Sequence, residues 1–201
     1  VLIGTDREGT KQEIKVWAKY SQSNGGLLKK AISYPFSIKP ERTLVIIKPD
    51  SLQELSSRAG NIIDRFSQTG LFIVGARVIY MKIEEAEEFY GPIKERLAEK
   101  LKQELSHQIY SSLQKSLDFK FPKKIADKIA EELKMYKMEL EFNKIISFIT
   151  GRDPLKKEER GKEGKEKCLA LVYEGENAIR KIRNVLGETN PLNAAPGTVR
   201  K

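Results

Sequence analysis

The sequence predicts an α+β fold of the ferredoxin-like type, in which helices cover one face of an antiparallel sheet. Short apolar runs rich in β-formers alternate with segments whose apolar residues recur at helical spacing, in the order β-α-β-α-β-α. A helical insertion at about 97–141 interrupts this order. A complete βαββαβ sandwich has a fourth strand, which we expect to be absent from these 201 residues.

The individual elements follow from local patterns. The first strand is a continuous apolar run of the kind typical of a fully buried strand, and Gly70 is a stop signal for the first helix. Residues 1–40 form an N-terminal extension of unknown role before a domain at 41–201. The predicted elements of that domain are strands at 43–47, 71–81 and 168–173 and helices at 57–68, 84–90 and 177–185.

The insertion begins with apolar residues that recur every four positions over 93–117. Each step of four overshoots a helical turn by about 40°, so the row winds around the helix. We therefore expect this helix to pack against more than one neighbour or to break partway. A second helix starts near Pro122 with Ile125, Ile129 and Leu133 on one face.

Two further segments complete the region before the third strand. Residues 142–149 predict a third, separate helix. Residues 152–166 are almost wholly charged and contain two glycines, which favours a mobile surface loop.

The charge balance is basic, with 37 Lys and Arg against 28 Asp and Glu. Such an excess is compatible with nucleic acid, a membrane surface or polyphosphate ligands, and equally with a lysine-rich solvated surface. A single cysteine, Cys168, excludes a disulfide framework within the chain, so we expect a reducing, cytoplasmic compartment. The apolar runs are too short to predict a transmembrane helix.

Several familiar site motifs are absent. The sequence has no Gly-rich P-loop, no Gly-x-Gly-x-x-Gly, no Cys-x-x-Cys and no histidine pair at metal-ligand spacing, so we predict no metal ligands. Its one histidine, His107, lies on a Lys-, Glu- and Gln-rich helix, where a surface or packing role is expected.

Three cations and a hydroxyl near predicted turns form a set of groups suited to phosphate. Lys48 follows the first strand and precedes a proline, so its ammonium either faces a ligand or caps the strand. Arg183 lies at a helix end, where it can also complement the helix dipole. The closing segment 186–200 combines two Pro-containing turns with Thr189 and Arg200, and guanidinium groups match phosphate oxygens.

The order of these motifs resembles that of nucleoside diphosphate kinases. The resemblance covers about 41–96 and 142–201. The matching segments are Glu-Arg-Thr-Leu at 41–44, Ile-Lys-Pro-Asp at 47–50, Gly-Asn-Ile-Ile at 60–63, Leu-Gly-Glu-Thr-Asn-Pro at 186–191 and Pro-Gly-Thr-Val-Arg at 196–200.

The resemblance implies a reaction and a set of residues. The γ-phosphoryl group of a nucleoside triphosphate such as ATP passes to an enzyme histidine and then to a nucleoside diphosphate, with Mg²⁺ bound through the phosphates. Lys48 and Tyr90 would support the nucleophile, and Phe142 would stack on the base. The implied nucleotide-binding residues are Lys48, Phe142, Arg183, Thr189 and Arg200. The family also implies a homo-oligomer, a hexamer or tetramer.

One element of the family pattern falls outside the sequence. The family's catalytic histidine lies shortly after Pro-Gly-Thr-x-Arg, so we expect it beyond residue 201, and we expect the 1–201 chain to be inactive by itself.

Two alternatives to a kinase function stay open. The first alternative is a catalytically inactive relative that keeps the phosphate contacts. The second is a basic nucleic-acid-binding module, although 168–173 lacks the interleaved aromatic residues of RNA-recognition strands.

Overall fold

The chain divides into two compact units in the computed structural model. The sheet unit comprises Val1–Ile79 and Cys168–Lys201, and the helical unit comprises Tyr80–Lys167. The structure describes residues 8, 11, 32–53, 57–188 and 192–200. In chain order the elements are β1 (Glu41–Ile47), α1 (Arg58–Ser67), β2 (Phe72–Ile79), α2 (Ile83–Tyr90), α3 (Lys94–Ser116), α4 (Lys123–Thr150), β3 (Cys168–Gly175) and α5 (Ala178–Leu186), with 3-10 turns at Pro49–Ser51, Gly91–Ile93 and Lys157–Glu159.

The three strands form an antiparallel sheet in the order β1-β3-β2. Tyr173 of the central strand lies opposite Thr43 on one side and Ile73 on the other. A register shift between Ile73 and Gly75 interrupts the pairing of β2. This antiparallel arrangement, with helices joining its strands, confirms the predicted ferredoxin-like α+β fold.

The core of the sheet unit lies between the sheet and two helices. Phe66 of α1 and Ile182 of α5 pack with Tyr173 in one buried cluster. The Phe66 and Tyr173 rings meet edge to face with centroids 5.7 Å apart. Among the described residues the buried Tyr173 hydroxyl has no hydrogen-bond partner, and burial raises the pKa of Tyr173.

The prediction that the first strand is fully buried was wrong. Within the described part of the chain β1 pairs only with β3, so it is an edge strand. Only Ile47 of β1 is buried, and Leu44 is 48% exposed. A continuous apolar run could not distinguish an edge strand from a central one, because both sit against helices on one face.

In the helical unit, α3 and α4 form an antiparallel hairpin. Ion pairs join Lys94 to Glu139 at 3.2 Å and Lys134 to Glu99 at 2.7 Å, and Lys102 pairs with Glu131. The two residue numbers of each pair add up to the same total. This is expected when two helices run in opposite directions at a constant register. The hairpin connection is short, at 117–122.

Two expectations about the insertion are corrected by this hairpin. The first helix is unbroken across its leucine row, and it packs along one helical neighbour, α4. The two helices predicted around 122–133 and 142–149 are one continuous helix. The buried face of its first half carries Ala126 and Ala130, while Ile125 and Leu133 are exposed. Small side chains allow the two helix backbones to approach closely. A buried face made of alanines cannot be predicted from the spacing of large apolar residues.

The charged segment predicted to be a mobile loop is held by hydrogen bonds within the helical unit. Arg152 Nη1 donates to Glu159 at 2.6 Å, and this contact lowers the pKa of Glu159. Arg160 Nη1 donates to Glu87 at 3.1 Å, and the backbone amide of Gly161 donates to Glu84 at 3.1 Å. Among the described residues, every helix is too short or too polar to span a bilayer.

Candidate functional site

The closing segment is attached to the end of α5 by backbone hydrogen bonds. The amide of Val199 donates to the Val185 carbonyl at 2.9 Å, and the amide of Arg200 donates to the Leu186 carbonyl at 3.2 Å. The last carbonyls of a helix lack hydrogen-bond donors within the helix, and the amides of the closing segment act as those donors here. The side chain of Arg200 adds a third contact, from its Nη1 to the Gly187 carbonyl at 3.1 Å.

A tight turn shapes this segment just before it meets the helix. The amide of Thr198 donates to the Ala195 carbonyl at 3.2 Å, and Gly197 has φ of 84°. Proline at the second position and a positive-φ glycine at the third are the requirements of a type II turn, so the Pro-Gly pair specifies this geometry. The Thr198 side chain then packs directly against Gly187, whose own φ is 81°.

Arg183 and Arg200 are brought together at this helix end. The Arg183 carbonyl accepts the amide of Gly187 at 3.0 Å, and the Gly187 carbonyl accepts the Arg200 guanidinium. The Arg183 side chain is exposed on the last turn of α5, and Arg200 is partly buried. Gly187 is therefore bonded on both sides, to Arg183 through the Arg183 main-chain carbonyl and to Arg200 through its guanidinium.

Lys48 belongs to the same part of the sheet unit. It directly follows β1, is exposed, and precedes the buried Pro49. The residues next to the three cations in sequence are Ile47, Ile182 and Val199, and all three belong to one hydrophobic cluster or pack against it. Lys48, Arg183 and Arg200 therefore extend from positions anchored to a common core. Thr189, the predicted hydroxyl contact, lies outside the described residues.

The two remaining predicted site residues, Tyr90 and Phe142, belong to the helical unit. Tyr90 ends α2, is partly buried, and meets Phe89 edge to face at 5.0 Å. Phe142 is only 2% exposed, and the Lys94 ammonium lies 4.2 Å from its ring centroid. With one face covered by a cation and the ring in the core of the hairpin, Phe142 cannot stack on a base in this arrangement. The single histidine, His107, is exposed on α3.

A cleft of about 540 Å³ in the sheet unit contains basic residues that sequence reasoning missed. Arg65 of α1 and Lys181 of α5 line it, together with Thr198 of the closing segment. Arg65 Nη1 donates to the Gly197 carbonyl, which joins α1 to the type II turn. An arginine in the last turn of a helix is unremarkable in sequence, so only this tertiary contact distinguishes Arg65.

Acidic residues do not gather into a metal site in the described ranges. No group of three or more His, Cys, Asp or Glu side chains is placed there to hold a metal ion. The site groups assembled so far are cations, which attract phosphate oxygens and repel a bare divalent cation.

Comparison with known proteins gives matches over the segments that contain these motifs. The family model described as nucleoside diphosphate kinase matches residues 41–113 and 161–201, which together make up more than half of the chain. The segment left between the two matched regions contains Phe142. Nucleoside diphosphate kinases from Halorhodospira halophila and Nitrosococcus oceani are 30% and 29% identical over 160 residues, which cover 80% of this chain. The alignments cover 72% and 71% of those two proteins.

A solved structure supports the fold. An NDP kinase from Pyrobaculum aerophilum aligns with a TM-score of 0.53 and 24% sequence identity, over 81% of this chain and 75% of that one.

Proposed function

The chain belongs to the nucleoside diphosphate kinase family, and from this premise we propose that it takes part in moving the γ-phosphoryl group of ATP to nucleoside diphosphates. Family membership supports a nucleotide-binding phosphotransferase. The observation that supports the finer proposal is that Gly187, at the end of α5, is bonded to the main-chain carbonyl of Arg183 and to the guanidinium of Arg200, which holds the two arginine positions near one another. Lys48 is the third cation of the proposed phosphate site.

Phosphoryl transfer requires mainly positioning and charge stabilisation from the protein. A charge-assisted hydrogen bond contributes about 1.5–3 kcal/mol, so each of these cations matters for affinity. Arg200 is positioned by its bond to the Gly187 carbonyl, and a guanidinium carries its N–H donors in a planar fork that matches phosphate oxygens. The exposed ammonium of Lys48 adds a point charge.

We propose the two-step, ping-pong route that the family resemblance implies. In the first step a histidine nitrogen forms a bond to the γ-phosphorus while the bond to the β-phosphate oxygen breaks, which releases the diphosphate. In the second step a terminal oxygen of the acceptor diphosphate takes the phosphoryl group and frees the histidine. Mg²⁺ bound through the phosphates would neutralise part of their charge, and it prefers phosphate oxygens and water to a cage of protein ligands.

The histidine itself stays a prediction, expected beyond residue 201. His107 is exposed on the hairpin helix α3, and it lies among Lys, Glu and Gln side chains. Thr189 and Tyr90 are kept as proposed nucleotide and nucleophile contacts. Phe142 is kept as a proposed base contact on the condition that its surroundings rearrange, because a base could stack on the ring only after Lys94 had moved away from it. A homo-oligomeric, cytoplasmic protein is likewise proposed from the family resemblance and the single cysteine.

Incubation with γ-labelled ATP and Mg²⁺ tests this proposal. A protein that carries the expected histidine should form an acid-labile, base-stable phosphoenzyme that is discharged by unlabelled nucleoside diphosphate. His107→Gln should form it equally well. Nucleotide binding without any phosphoenzyme would instead establish the inactive relative, and loss of the phosphoenzyme in His107→Gln would show that the nucleophile was misassigned.

A further inference from the structure

The outer face of α4 carries an apolar stripe that the proposed phosphotransfer does not use. Four of its side chains are 41–69% exposed, and Ile129 is partly buried. The opposite face of the helix is buried within the hairpin. The stripe consists of Ile125, Ile129, Leu133, Tyr136 and Leu140.

The spacing of the stripe is that of a helix-pairing surface. Its members are separated by four, four, three and four residues, which keeps them on one side of a helix. From 125 to 140 the stripe is about 22 Å long at 1.5 Å per residue. Isolated exposed apolar residues are normal on protein surfaces, but a continuous row of this length indicates a partner.

The stripe is self-complementary when one helix is reversed against an identical one. Reversal about a point between 132 and 133 places Ile125 against Leu140 of the second helix and Ile129 against Tyr136. Leu133 then lies near the centre, about 1.5 Å along the axis from its own copy. A row that matches itself in this way favours the same chain as its partner, because a two-fold axis brings each residue to its complement.

The flanking charges agree with the antiparallel direction. Lys128 and Glu139 lie on the same side of the stripe, one toward each end, and both are exposed. In an antiparallel helix pair, residues on the same flank face each other, so Lys128 of one copy faces Glu139 of the other. In a parallel pair the same residues would face other positions, and this complementarity would be lost. Glu132, on the same flank near the centre, faces its own copy.

We propose that α4 pairs antiparallel with α4 of a second copy of this chain through this stripe. The contact is separate from the phosphate site and does not depend on it. A pair of single helix faces belongs to the smallest interface class, so the contact is weak by itself and adds to any other contact between copies. The like charges of Glu132 near the axis weaken it further.

Cysteine cross-linking tests the contact and its direction. Cys168 is the only cysteine and is buried, so an introduced surface cysteine is the only accessible thiol. Leu133→Cys should form a disulfide-linked dimer under mild oxidation. Ile125→Cys and Leu140→Cys should each fail to dimerise alone but should cross-link when mixed, since two copies of residue 125 would be about 22 Å apart. Leu155→Cys, an exposed position outside the stripe, is the control and should stay monomeric on non-reducing gels.

Sedimentation velocity gives an independent measurement. Leu133→Glu should weaken self-association at least 10-fold, whereas Leu155→Glu, the same change at an exposed leucine elsewhere, should leave it unchanged. Glu132→Gln should strengthen it. Cross-linking no greater for Leu133→Cys than for Leu155→Cys would overturn the proposal. Equal self-cross-linking at 125, 133 and 140 would overturn the antiparallel direction.

Discussion

Gly187 is the position where one added methyl group should disturb the candidate site most. Its φ of 81° and ψ of 176° fall in a region that is essentially restricted to glycine, at a cost of about 1–3 kcal/mol for other residues. An added Cβ would also lie 2.5 Å from Thr198 Oγ1 and 2.7 Å from Thr198 Cβ. Overpacking of this kind costs about 1–3 kcal/mol, so Gly187→Ala should lower the free energy of unfolding by about 2–6 kcal/mol.

Part of this cost is expected to appear as displacement of the closing segment. Thr198 cannot move away without pulling on Arg200, whose side chain is bonded to the Gly187 carbonyl. We therefore expect Gly187→Ala to weaken nucleotide binding at least 5-fold in isothermal titration calorimetry, with stability followed by urea unfolding.

Gly70→Ala is the matched control for this change. Gly70 also has a positive φ, 70°, but an added Cβ there would have no neighbour within 4 Å. It should cost about 1–2 kcal/mol of unfolding free energy and leave nucleotide affinity unchanged. Equal losses of stability and affinity in the two variants would refute the packing of Thr198 on Gly187 as the organising contact.

Three further predictions concern the rest of the fold. Tyr173→Phe removes a buried hydroxyl that has no hydrogen-bond partner among the described residues. The free energy of unfolding, measured in urea, should therefore rise by about 1–3 kcal/mol, and a fall would contradict the absence of a partner. Gly164→Ala places a Cβ 2.4 Å from the Met81 carbonyl oxygen, so it should lower the melting temperature far more than Gly161→Ala, where no atom lies within 4 Å. Hydrogen bonds from Lys102 and Lys134 lower the pKa of Glu131 to about 2, so its stabilising contribution is present above about pH 4.5 and is lost as pH falls toward 2. The stability difference between the protein and Glu131→Gln should shrink over that range, and a constant difference would contradict the ion-pair network.

Local patterns were sufficient for the sheet unit and its turns. The strands and both helices of that unit were predicted to within a few residues, because apolar runs and the stop at Gly70 are local signals. The Pro-Gly pair at 196–197 likewise specifies a turn wherever it occurs. The edge position of β1 was missed, since pairing partners are set by tertiary structure.

The hairpin was harder to predict for a physical reason. Its buried face depends on alanines, and its register depends on ion pairs between residues about 30–45 positions apart in sequence, such as Lys134 with Glu99. Neither feature leaves a local pattern. Phe142 was assigned to the base from the family pattern, and no local feature of the sequence indicates that its ring is buried inside a helical hairpin. Arg65 was missed because its role depends on a contact with Gly197.

The most direct test of the proposed phosphate site is calorimetric titration of the chain with Mg²⁺ and ADP. Arg200→Ala should weaken binding at least 10-fold, because it removes a charge-assisted contact of about 1.5–3 kcal/mol. Lys167→Ala removes an exposed lysine outside the proposed site and should leave the affinity unchanged. Equal effects of the two substitutions, or the absence of ADP binding, would contradict the proposal that Lys48, Arg183 and Arg200 form a nucleotide phosphate site.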